Sequence, residues 1–362
     1  MVTGAARVSP GFWAGRRVLL TGHTGFKGAW LALWLHRLGA RVTGLSLPPE
    51  GQTPLFDAAG VAALLEHRIV DLRDADAVAA QVRDARPEIV LHLAAQALVR
   101  RSYAEPLATF ATNVMGTAHL LEALRGQPSV RAVVVVTSDK CYENREWVWG
   151  YREGEPLGGH DPYSASKAAT EMVAQAWSRA FLAEGGVALA TARAGNVIGG
   201  GDWAEDRLLP DLVRAFRRGE AAPIRRPAAV RPWQHVLEPL AGYLQLAQRL
   251  VDDAGTASGA WNFGPSDDDA RPVREVADLA AHAWGPEAGW AVAGDPGPHE
   301  AHWLKLDASK ARQHLGWRPR LSLDEAVAWT VGWYRRFVDA PAQARPLALA
   351  QIERYEELLA HA

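Results

Sequence analysis

One stretch decides the fold of this chain: Arg17-Val18-Leu19-Leu20-Thr21-Gly22-His23-Thr24-Gly25-Phe26-Lys27-Gly28. It joins an apolar segment typical of a strand to an amphipathic helical pattern through three glycines. In such a turn the first glycine permits a tight bend, the second lets the backbone approach a pyrophosphate, and the third lets helix and sheet pack closely. The helix N-terminus adds N–H donors and positive potential. The stretch therefore predicts a dinucleotide-binding turn.

The rest of the first half continues in the same rhythm, with β-branched segments alternating with longer helical patterns. This alternation is typical of parallel strands joined by crossover helices. The predicted strands are 17–21, 41–47, 68–70, 88–93, 132–137 and 187–192. The predicted helices are 26–38, 74–84, 106–125, 162–184, 206–218 and 324–337.

The predicted fold class is α/β: a Rossmann-type doubly wound parallel sheet with a smaller, mixed α/β substrate-binding domain. The regular alternation of strands and helices ends after Gly195, where Gly199-Gly200-Gly201 is followed by a proline-rich stretch from Pro223 to Pro232. We therefore assign 1–195 to the dinucleotide-binding domain, rejoined by about 234–262. The segments 196–233 and 263–362 are assigned to the second domain.

Composition excludes several classes of function. Lys and Arg number 39 against 41 Asp and Glu, a net charge of −2, so there is no basic excess for nucleic acid. Cys141 is the single cysteine and cannot form an intramolecular disulfide, and the histidines lack ligand-spaced partners, so we expect no metal. No signal peptide is recognisable, and no stretch has the roughly 18 consecutive apolar residues of a membrane span. We expect a cytoplasmic protein without membrane contact.

The end of the second predicted strand bears on cofactor choice. It runs Gly44-Leu45-Ser46-Leu47, without the acidic residue that accepts from the ribose 2′-hydroxyl in many NAD sites. Ser46 is able to bond a ribose hydroxyl, and no arginine beside it would neutralise a 2′-phosphate, which favours NAD over NADP. Lys27 is the rival cation for a 2′-phosphate, and the alternative is that it packs its stem on the helix surface.

Tyr163-Ser164-Ala165-Ser166-Lys167 opens a predicted helix, so the tyrosine and lysine lie on one helical face. A free phenol titrates near 10, and acting as a base near neutrality requires a shift of roughly 3 units, on the order of 4 kcal/mol. Lys167 and an oxidised nicotinamide ring are two cations that would favour the phenolate. The fifth strand ends at Ser138-Asp139-Lys140, on the sheet edge where parallel sheets bind ligands.

Taken together, these motifs resemble the extended short-chain dehydrogenase/reductases, the NAD-dependent epimerase/dehydratase family, over nearly the whole chain. Within that superfamily, longer strings resemble the CDP-glucose 4,6-dehydratases: 21–28, 137–142, 147–151, 193–203, 231–236, 261–265 and 299–307. The resemblance implies NAD as cofactor, CDP-glucose as substrate, and a homodimer or dimer of dimers. Apolar faces on the helices 106–125 and 162–184 suit a four-helix dimer contact.

The resemblance also implies catalytic roles. Tyr163 would remove the C4 hydroxyl proton as hydride passes to NAD, with Ser138 sharing the hydrogen bond and Lys167 holding the nicotinamide ribose. The 4-ketone acidifies C5, so Asp139 would act as the acid that expels the C6 hydroxyl and Lys140 as the base at C5. Many relatives carry Asp-Glu at this pair, and a lysine base must be neutral. The alternative is that Lys140 stays charged and stabilises an enolate.

Ligand contacts follow from the same resemblance. The implied cofactor-binding residues are Gly22, Thr24, Gly25, Phe26, Gly28, Ser46, Asp71, Leu72, Leu93, Ala94, Ala95, Asn113, Tyr163 and Lys167. The implied substrate-binding residues are Gln96, Asn196, Arg207, Arg231, Trp233 and His299. Arg193, Arg207 and Arg231 are expected to converge over the cleft because a diphosphate favours bidentate cations. Asp71 has a second interpretation, as a helix N-cap.

Two rival functions remain at this point. A C4 epimerase uses the same tyrosine, lysine and NAD, but it needs no acid–base pair for water loss, so Asp139-Lys140 argues against it. A redox sensor that keeps the fold without catalysis would lose the tyrosine or the lysine, and both are present. The sequence therefore favours a dehydratase.

Overall fold

The computed structural model describes residues 8–51, 53–294 and 302–361. Its strands are β1 Arg17–Thr21, β2 Arg41–Ser46, β3 Glu66–Ile69, β4 Ile89–His92, β5 Ala132–Val136, β6 Ala188–Ala194, β7 Asn196–Ile198, β8 Ala222–Ile224, β9 Val230–His235, β10 Gly259–Phe263, β11 Ala270–Pro272 and β12 Trp290–Val292. Its α-helices are α1 Pro10–Trp13, α2 Phe26–Arg37, α3 Leu55–Ala58, α4 Ala75–Ala85, α5 Val99–Ala104, α6 Pro106–Phe110, α7 Gly116–Leu124, α8 Pro162–Trp177, α9 Leu208–Arg217, α10 Leu237–Asp252, α11 Ala254–Ala257, α12 Val273–Trp284, α13 Leu323–Asp339 and α14 Ala344–Ala360.

A seven-stranded parallel sheet of order β10-β6-β5-β4-β1-β2-β3 forms the larger unit. Strand order reverses beside β1, which lies between β2 and β4, and ligands bind open α/β sheets at such a switch point. The predicted α/β, Rossmann-type class is confirmed. The carboxyl end of β1, where the glycine loop begins, is therefore the expected place for a dinucleotide.

Both faces of this sheet are buried, as expected for parallel strands covered by helices. In β5, Ala132, Val134 and Val136 pack into one core, whereas Val133 and Val135 pack into the other. This alternation is the two-residue period of a strand. Helices α2, α10 and α14 contribute to the first core, and α4, α7 and α8 contribute to the second.

Smaller sheets build the second unit. Strands β11, β9 and β7 form one sheet and β12 pairs with β8. Helices α9, α12 and α13 pack together beside them around a separate apolar core. The C-terminal helix α14 lies instead against α2, although its residues fall in the segment that we assigned to the second domain.

Helix boundaries agree with the predictions except where backbone hydrogen bonding changes. The predicted helix 106–125 contains a π-helical segment, Ala111–Met115, between α6 and α7. A second π-helical segment, Ser178–Leu182, extends α8. Such π-helical segments are frequent at functional sites. The segment Ala111–Met115 contains Asn113.

Candidate active site

A cleft of about 1750 Å³ runs along the carboxyl ends of the main strands and reaches the second unit. Single ligand sites usually measure about 300–1000 Å³, so the cleft has room for a dinucleotide and a nucleotide sugar together. Its lining includes the glycine loop, the ends of β4 and β5, the start of α8 and the arginines of the second unit.

The three glycines of the loop have different physical requirements. Gly22 has a φ of +78°, and a Cβ there would lie 2.6 Å from the Ala94 backbone nitrogen. A Cβ on Gly28 would lie 2.0 Å from the Gly22 carbonyl oxygen, so helix and loop touch directly. Gly25 is exposed to the cleft, and a Cβ there would meet nothing closer than 3.4 Å. Packing explains Gly22 and Gly28, whereas an approaching ligand is the reason left for Gly25.

Thr24 ties the glycine loop to the end of β2. Its hydroxyl lies 2.6 Å from Ser46 Oγ and donates to the Leu47 carbonyl at 3.0 Å. With its own proton committed to Leu47, Thr24 accepts from Ser46. Ser46 Oγ thus keeps acceptor capacity toward the cleft but no proton to donate.

Asp71 lies in the cleft lining after β3, and Arg73 holds its carboxylate in place. Its carboxylate accepts from the Arg73 backbone at 2.9 Å and from Nε at 2.9 and 3.0 Å. These bonds from Arg73 hold the pKa of Asp71 below its usual value. The N-cap of α4 is Asp74, whose side chain accepts from Ala77, so the alternative role of Asp71 as a helix cap is wrong.

Asn113 lies beneath the cleft rather than in its lining. Its amide donates to Gln96 O at 3.0 Å and to Ser166 Oγ at 2.9 Å, and its Oδ1 accepts from Gln96 N at 2.8 Å. The carbonyl of Asn113, in the π-helical segment, accepts from Thr117 and Thr170. Asn113 therefore joins the loop after β4 to the middle of α8. Gln96 lines the cleft beside Leu93, Ala94 and Ala95, and its side chain bonds to the Leu98 backbone and to Thr109 Oγ1 of α6.

Tyr163 and Lys167 lie one helical turn apart at the start of α8, as predicted, and both are buried. Asp161 caps this helix, and Ser102 Oγ accepts from the Tyr163 backbone at 3.1 Å. Lys167 Nζ donates to the Val136 carbonyl at 3.3 Å, and burial lowers the pKa of Lys167 to about 8.

In the protein alone, the phenol is not a base near neutrality. Burial raises the pKa of Tyr163 to about 12, a hydrogen bond with Ser138 lowers it, and Asp139 raises it again. Arg207 is the cation that lowers the pKa of Tyr163 here, whereas Lys167 Nζ donates to the Val136 carbonyl. Of the two cations expected to favour phenolate, a bound nicotinamide is thus the one left to supply the larger effect.

Asp139 is the most unusual group in the cleft. It is 2% exposed, and its Oδ1 accepts from Ser138 Oγ at 2.9 Å. Its Oδ2 is buried without a hydrogen-bond partner among the described residues. A Cβ on Gly195 would come within 3.2 Å of this oxygen. Buried polar atoms are nearly always paired, so an open carboxylate oxygen in a cleft indicates a functional group. Lys140 lines the same cleft and is half-buried.

Lys27 also lines the cleft, close to several charged groups. Burial, then Arg207 and Lys167, lower the pKa of Lys27 to about 7, while Asp139 and Asp202 oppose them.

The second unit contributes arginines from separate elements. Arg207 precedes α9 and donates to Asp202 at 2.8 Å. Arg231, on β9, is buried and donates to the Val230 carbonyl at 2.8 Å. Asn196 and Trp233 face each other across β7 and β9 in the cleft lining, and the Trp233 indole donates to Arg271 O. His299 lies outside the described residues.

Arg193 is not over the cleft, contrary to our expectation. It is buried behind the catalytic residues, where Nε and Nη2 donate to Glu171 at 2.9 and 2.8 Å and Nη1 donates to Tyr142 at 2.7 Å. A buried carboxylate takes the place of the expected phosphate because β6 directs this side chain to the face covered by α8, opposite to that of Ala192 and Ala194.

Sequence analysis missed several supporting residues. Asp202 fixes Arg207, Ser102 fixes the Tyr163 backbone, and Asp206 pairs with Arg100 and Arg225 at 3.4 and 2.9 Å. The glycine-rich string before Asp202 is a signal that would have found it. The other contacts join residues far apart in the chain and leave no local pattern.

The residues at the glycine loop fit NAD: an open cradle at Gly25, a helix N-terminus beside it, and Asp71 and Ser46 at the adenosine side. Within the described ranges, no cluster of three or more potential ligands would hold a metal ion. In the same ranges, no helix combines the length and apolar character needed to cross a membrane.

Comparison with known sequences places these features in context. Residues 18–264 match the model of the NAD dependent epimerase/dehydratase family. The chain is 50% identical over 336 residues to the CDP-glucose 4,6-dehydratase of Salmonella typhimurium strain LT2, covering 91% of this chain and 94% of that protein. It is 29% identical over 336 residues to the dTDP-glucose 4,6-dehydratase of Xanthomonas campestris pv. campestris, covering 87% and 92%.

Solved structures show the same architecture. DesIV, a dTDP-glucose 4,6-dehydratase from Streptomyces venezuelae solved with NAD bound, superposes with a TM-score of 0.75 at 27% identity, covering 91% of this chain and 99% of that one. The UDP-glucose 4-epimerase of Thermotoga maritima superposes with a TM-score of 0.77 at 24% identity, covering 89% and 99%. The second similarity concerns the fold alone.

Proposed function

The chain belongs to the NAD-dependent epimerase/dehydratase family, and we propose that within it the chain is a hydro-lyase that converts CDP-D-glucose to CDP-4-dehydro-6-deoxy-D-glucose. The reaction oxidises C4, eliminates water across C5 and C6, and reduces C6. The CDP-glucose 4,6-dehydratase of Salmonella, half identical in sequence over nearly the full length, supports this substrate.

One observation carries the choice of dehydratase over epimerase: the buried Asp139 carboxylate with an open oxygen, adjoining Lys140 in the same cleft as Tyr163. An epimerase needs a proton acceptor for one hydroxyl, which Tyr163 already supplies. Elimination of water needs a second acid and base, because a hydroxyl leaves as water only when it is protonated.

Tyr163 takes the C4 hydroxyl proton, with Ser138 as its hydrogen-bond partner. Bound NAD would supply an acceptor for the C4 hydride and a hydride donor to C6, and its positive ring would favour the phenolate. Lys167, buried and bonded to the end of β5, would hold the nicotinamide ribose.

Asp139 and Lys140 act in the second stage. The 4-ketone makes the C5 hydrogen acidic, Lys140 removes it as a proton, and the C5–C6 double bond forms as the C6 hydroxyl departs. Asp139, in its protonated form, delivers a proton to that hydroxyl from Oδ2, which has no hydrogen-bond partner among the described residues. Ser138 fixes the other oxygen and so orients the acid. When C6 is reduced, the proton held by Lys140 returns to C5.

Arg207 and Arg231 receive the diphosphate of the substrate. Both line the cleft from the second unit, and Asp202 and the β9 backbone fix their positions. Guanidinium groups suit this task because they present paired donors to phosphate oxygens.

Isotope transfer tests the proposal. In deuterium oxide, elimination exchanges the C5 hydrogen with solvent, whereas a label placed at C4 of CDP-glucose should reappear at C6 of the product. We expect solvent deuterium at C5, the label at C6, and no net consumption of NAD. A C4-inverted sugar that keeps its C6 hydroxyl would establish an epimerase instead.

Lys140→Ala separates the two stages. Oxidation at C4 should survive, because Tyr163, Ser138 and Lys167 are untouched, whereas C5 exchange should fall by at least ~100-fold, a typical contribution of a positioned base. Lys140→Arg serves as the matched control, since it keeps a cation that stabilises an enolate but is a very poor base. Exchange that is restored by arginine would assign Lys140 the enolate role.

We also propose a homodimer. Large apolar side chains remain exposed along the two helical stretches predicted to form a dimer contact: Leu107, Phe110, Met115, Met172 and Phe181. Contiguous exposed apolar surface marks an interaction site, and two such helices from each subunit form a four-helix arrangement. Light scattering should give twice the chain mass, and Leu107→Glu with Met172→Glu should give the monomer.

A further inference from the structure

The adenosine end of the cleft lacks its usual carboxylate. In dinucleotide sites, an acidic residue at the end of the second strand accepts from the ribose 2′-hydroxyl and repels a 2′-phosphate. Here β2 ends at Ser46, followed by Leu47 and two prolines. Ser46 Oγ offers an acceptor but no charge, so by itself it discriminates weakly against a phosphate.

Glu50, in the loop that follows β2 and Ser46, supplies a carboxylate to the same cleft. It lines the cleft together with Gly25, Ser46 and Leu47. Both of its oxygens accept from Arg101 Nη1, at 3.2 and 3.0 Å. An otherwise exposed side chain is thus held at the edge of the cleft.

The position of this ion pair follows from the sheet order. Glu50 follows β2, Arg101 lies on α5 after β4, and β1 runs between these two strands. The pair therefore joins the two loops that flank the glycine loop. Exposed ion pairs contribute little to stability, so stability does not explain why Glu50 and Arg101 pair here. What sets this pair apart is its position beside the glycine loop.

The arginines near this end are already neutralised. Arg101 also donates to Glu105 at 3.3 Å, and Arg73 is bonded to Asp71. A 2′-phosphate entering here would meet Glu50 and would have to displace a carboxylate to reach either guanidinium.

From this arrangement we propose that Glu50, held by Arg101, selects NAD over NADP. The inference rests on the proposed function, since it assumes a dinucleotide in the cleft. Glu50 accepts from a ribose hydroxyl and repels a phosphate at the same place. Arg101 positions that carboxylate and is the cation that a 2′-phosphate would use once Glu50 is removed.

Equilibrium binding of NAD and NADP to the protein, without any nucleotide sugar, tests this by calorimetry. The wild type should bind NAD at least ~10-fold more tightly than NADP, and Glu50→Gln should reduce that preference at least ~10-fold. NADP affinity should rise and NAD affinity should fall. The Glu50→Gln, Arg101→Ala double variant should lose the gain in NADP affinity.

Glu105→Gln is the matched control, because it removes the other carboxylate on Arg101 and leaves Glu50 in place. Its NAD preference should stay within about twofold of the wild type, as expected for a rim charge. An unchanged preference in Glu50→Gln overturns the inference while NAD binding leaves the proposed function intact. A wild type that binds neither dinucleotide overturns both.

Discussion

Two buried carboxylates close to each other in this protein differ in how they are satisfied. Glu171, behind the catalytic residues, receives hydrogen bonds from Thr137 and Thr191 and two from Arg193. Asp139, in the cleft, receives one from Ser138 and keeps an oxygen without a partner among the described residues. Both are less than 5% exposed.

The difference separates structure from function. A buried carboxylate surrounded by donors and a cation is chemically quiet, and breaking its pairing costs stability. A buried carboxylate with an open oxygen contributes little to the fold, and that oxygen remains available to a substrate. Burial by itself therefore does not identify a catalytic acid, whereas the hydrogen-bond count does.

Among the variants considered, removing the cation that pairs with Glu171 should lower the free energy of unfolding the most. Arg193→Met leaves Glu171 buried without its cation, and we expect the free energy of unfolding to fall by about 3–5 kcal/mol. Urea denaturation measures it. Adding Glu171→Gln should recover much of the loss, because the uncompensated charge disappears. A loss below about 1 kcal/mol in the single variant would show that the network is not needed for stability.

A third buried carboxylate sharpens the comparison through pH. Glu238 is held by the backbone of Arg320 and Leu321 and by the Tyr355 hydroxyl, without a salt bridge among the described residues. Burial raises the pKa of Glu238 to about 7 from its ordinary value of 4.5. As the pH rises, Glu238 therefore loses its proton in the unfolded chain at a lower pH than in the folded protein.

The sign of the pH effect follows from that difference. The contribution of Glu238 to stability is complete below about pH 4.5 and is lost as pH rises through about 7, a change of about 3 kcal/mol. Glu238→Gln should flatten the pH dependence of the urea midpoint across this window. A profile parallel to that of the wild type would contradict the shifted pKa.

Tyr163→Phe removes a hydroxyl from the cleft while leaving the ring buried. We expect formation of reduced nicotinamide in a single turnover to slow at least ~100-fold, about 2.7 kcal/mol of barrier. Affinity for CDP-glucose should change little. Stopped-flow absorbance records the rate, and a near wild-type value would mean that another group accepts the C4 proton.

Asp139→Asn should give the smallest effect on the fold and a selective effect on chemistry. The amide keeps an acceptor for Ser138 but has no proton to donate as an acid, so elimination should slow ~100-fold while C4 oxidation persists. Unfolding free energy should change by less than about 1 kcal/mol, in contrast to Arg193→Met. A large loss of stability would assign Asp139 a structural role like that of Glu171.

Much of the cleft on the side of the seven-stranded sheet was predictable, because the sequence signals for it are local. The glycine loop, the end of β5 and the Tyr163–Lys167 pair each lie within one turn or one helix of the chain, so spacing fixes their geometry. One expectation, for Arg193, was wrong and one alternative, for Asp71, is excluded, each for a physical reason. Asp74 displaced Asp71 as the helix cap because it lies directly before α4, and Arg193 found a buried acid from α8 that strand spacing does not reveal.

The sequence by itself determined the alternation of strands and helices, the dinucleotide turn and the catalytic tyrosine–lysine pair, since these depend on periodicity and on contacts between near neighbours. Only the tertiary structure decided which charged groups are satisfied. Asp139 is left open while Glu171 is saturated, and Glu50 meets Arg101, because those outcomes depend on side chains brought together from distant segments. Hydrogen bonds act over about 3 Å, so which distant groups pair is fixed only when the chain has folded.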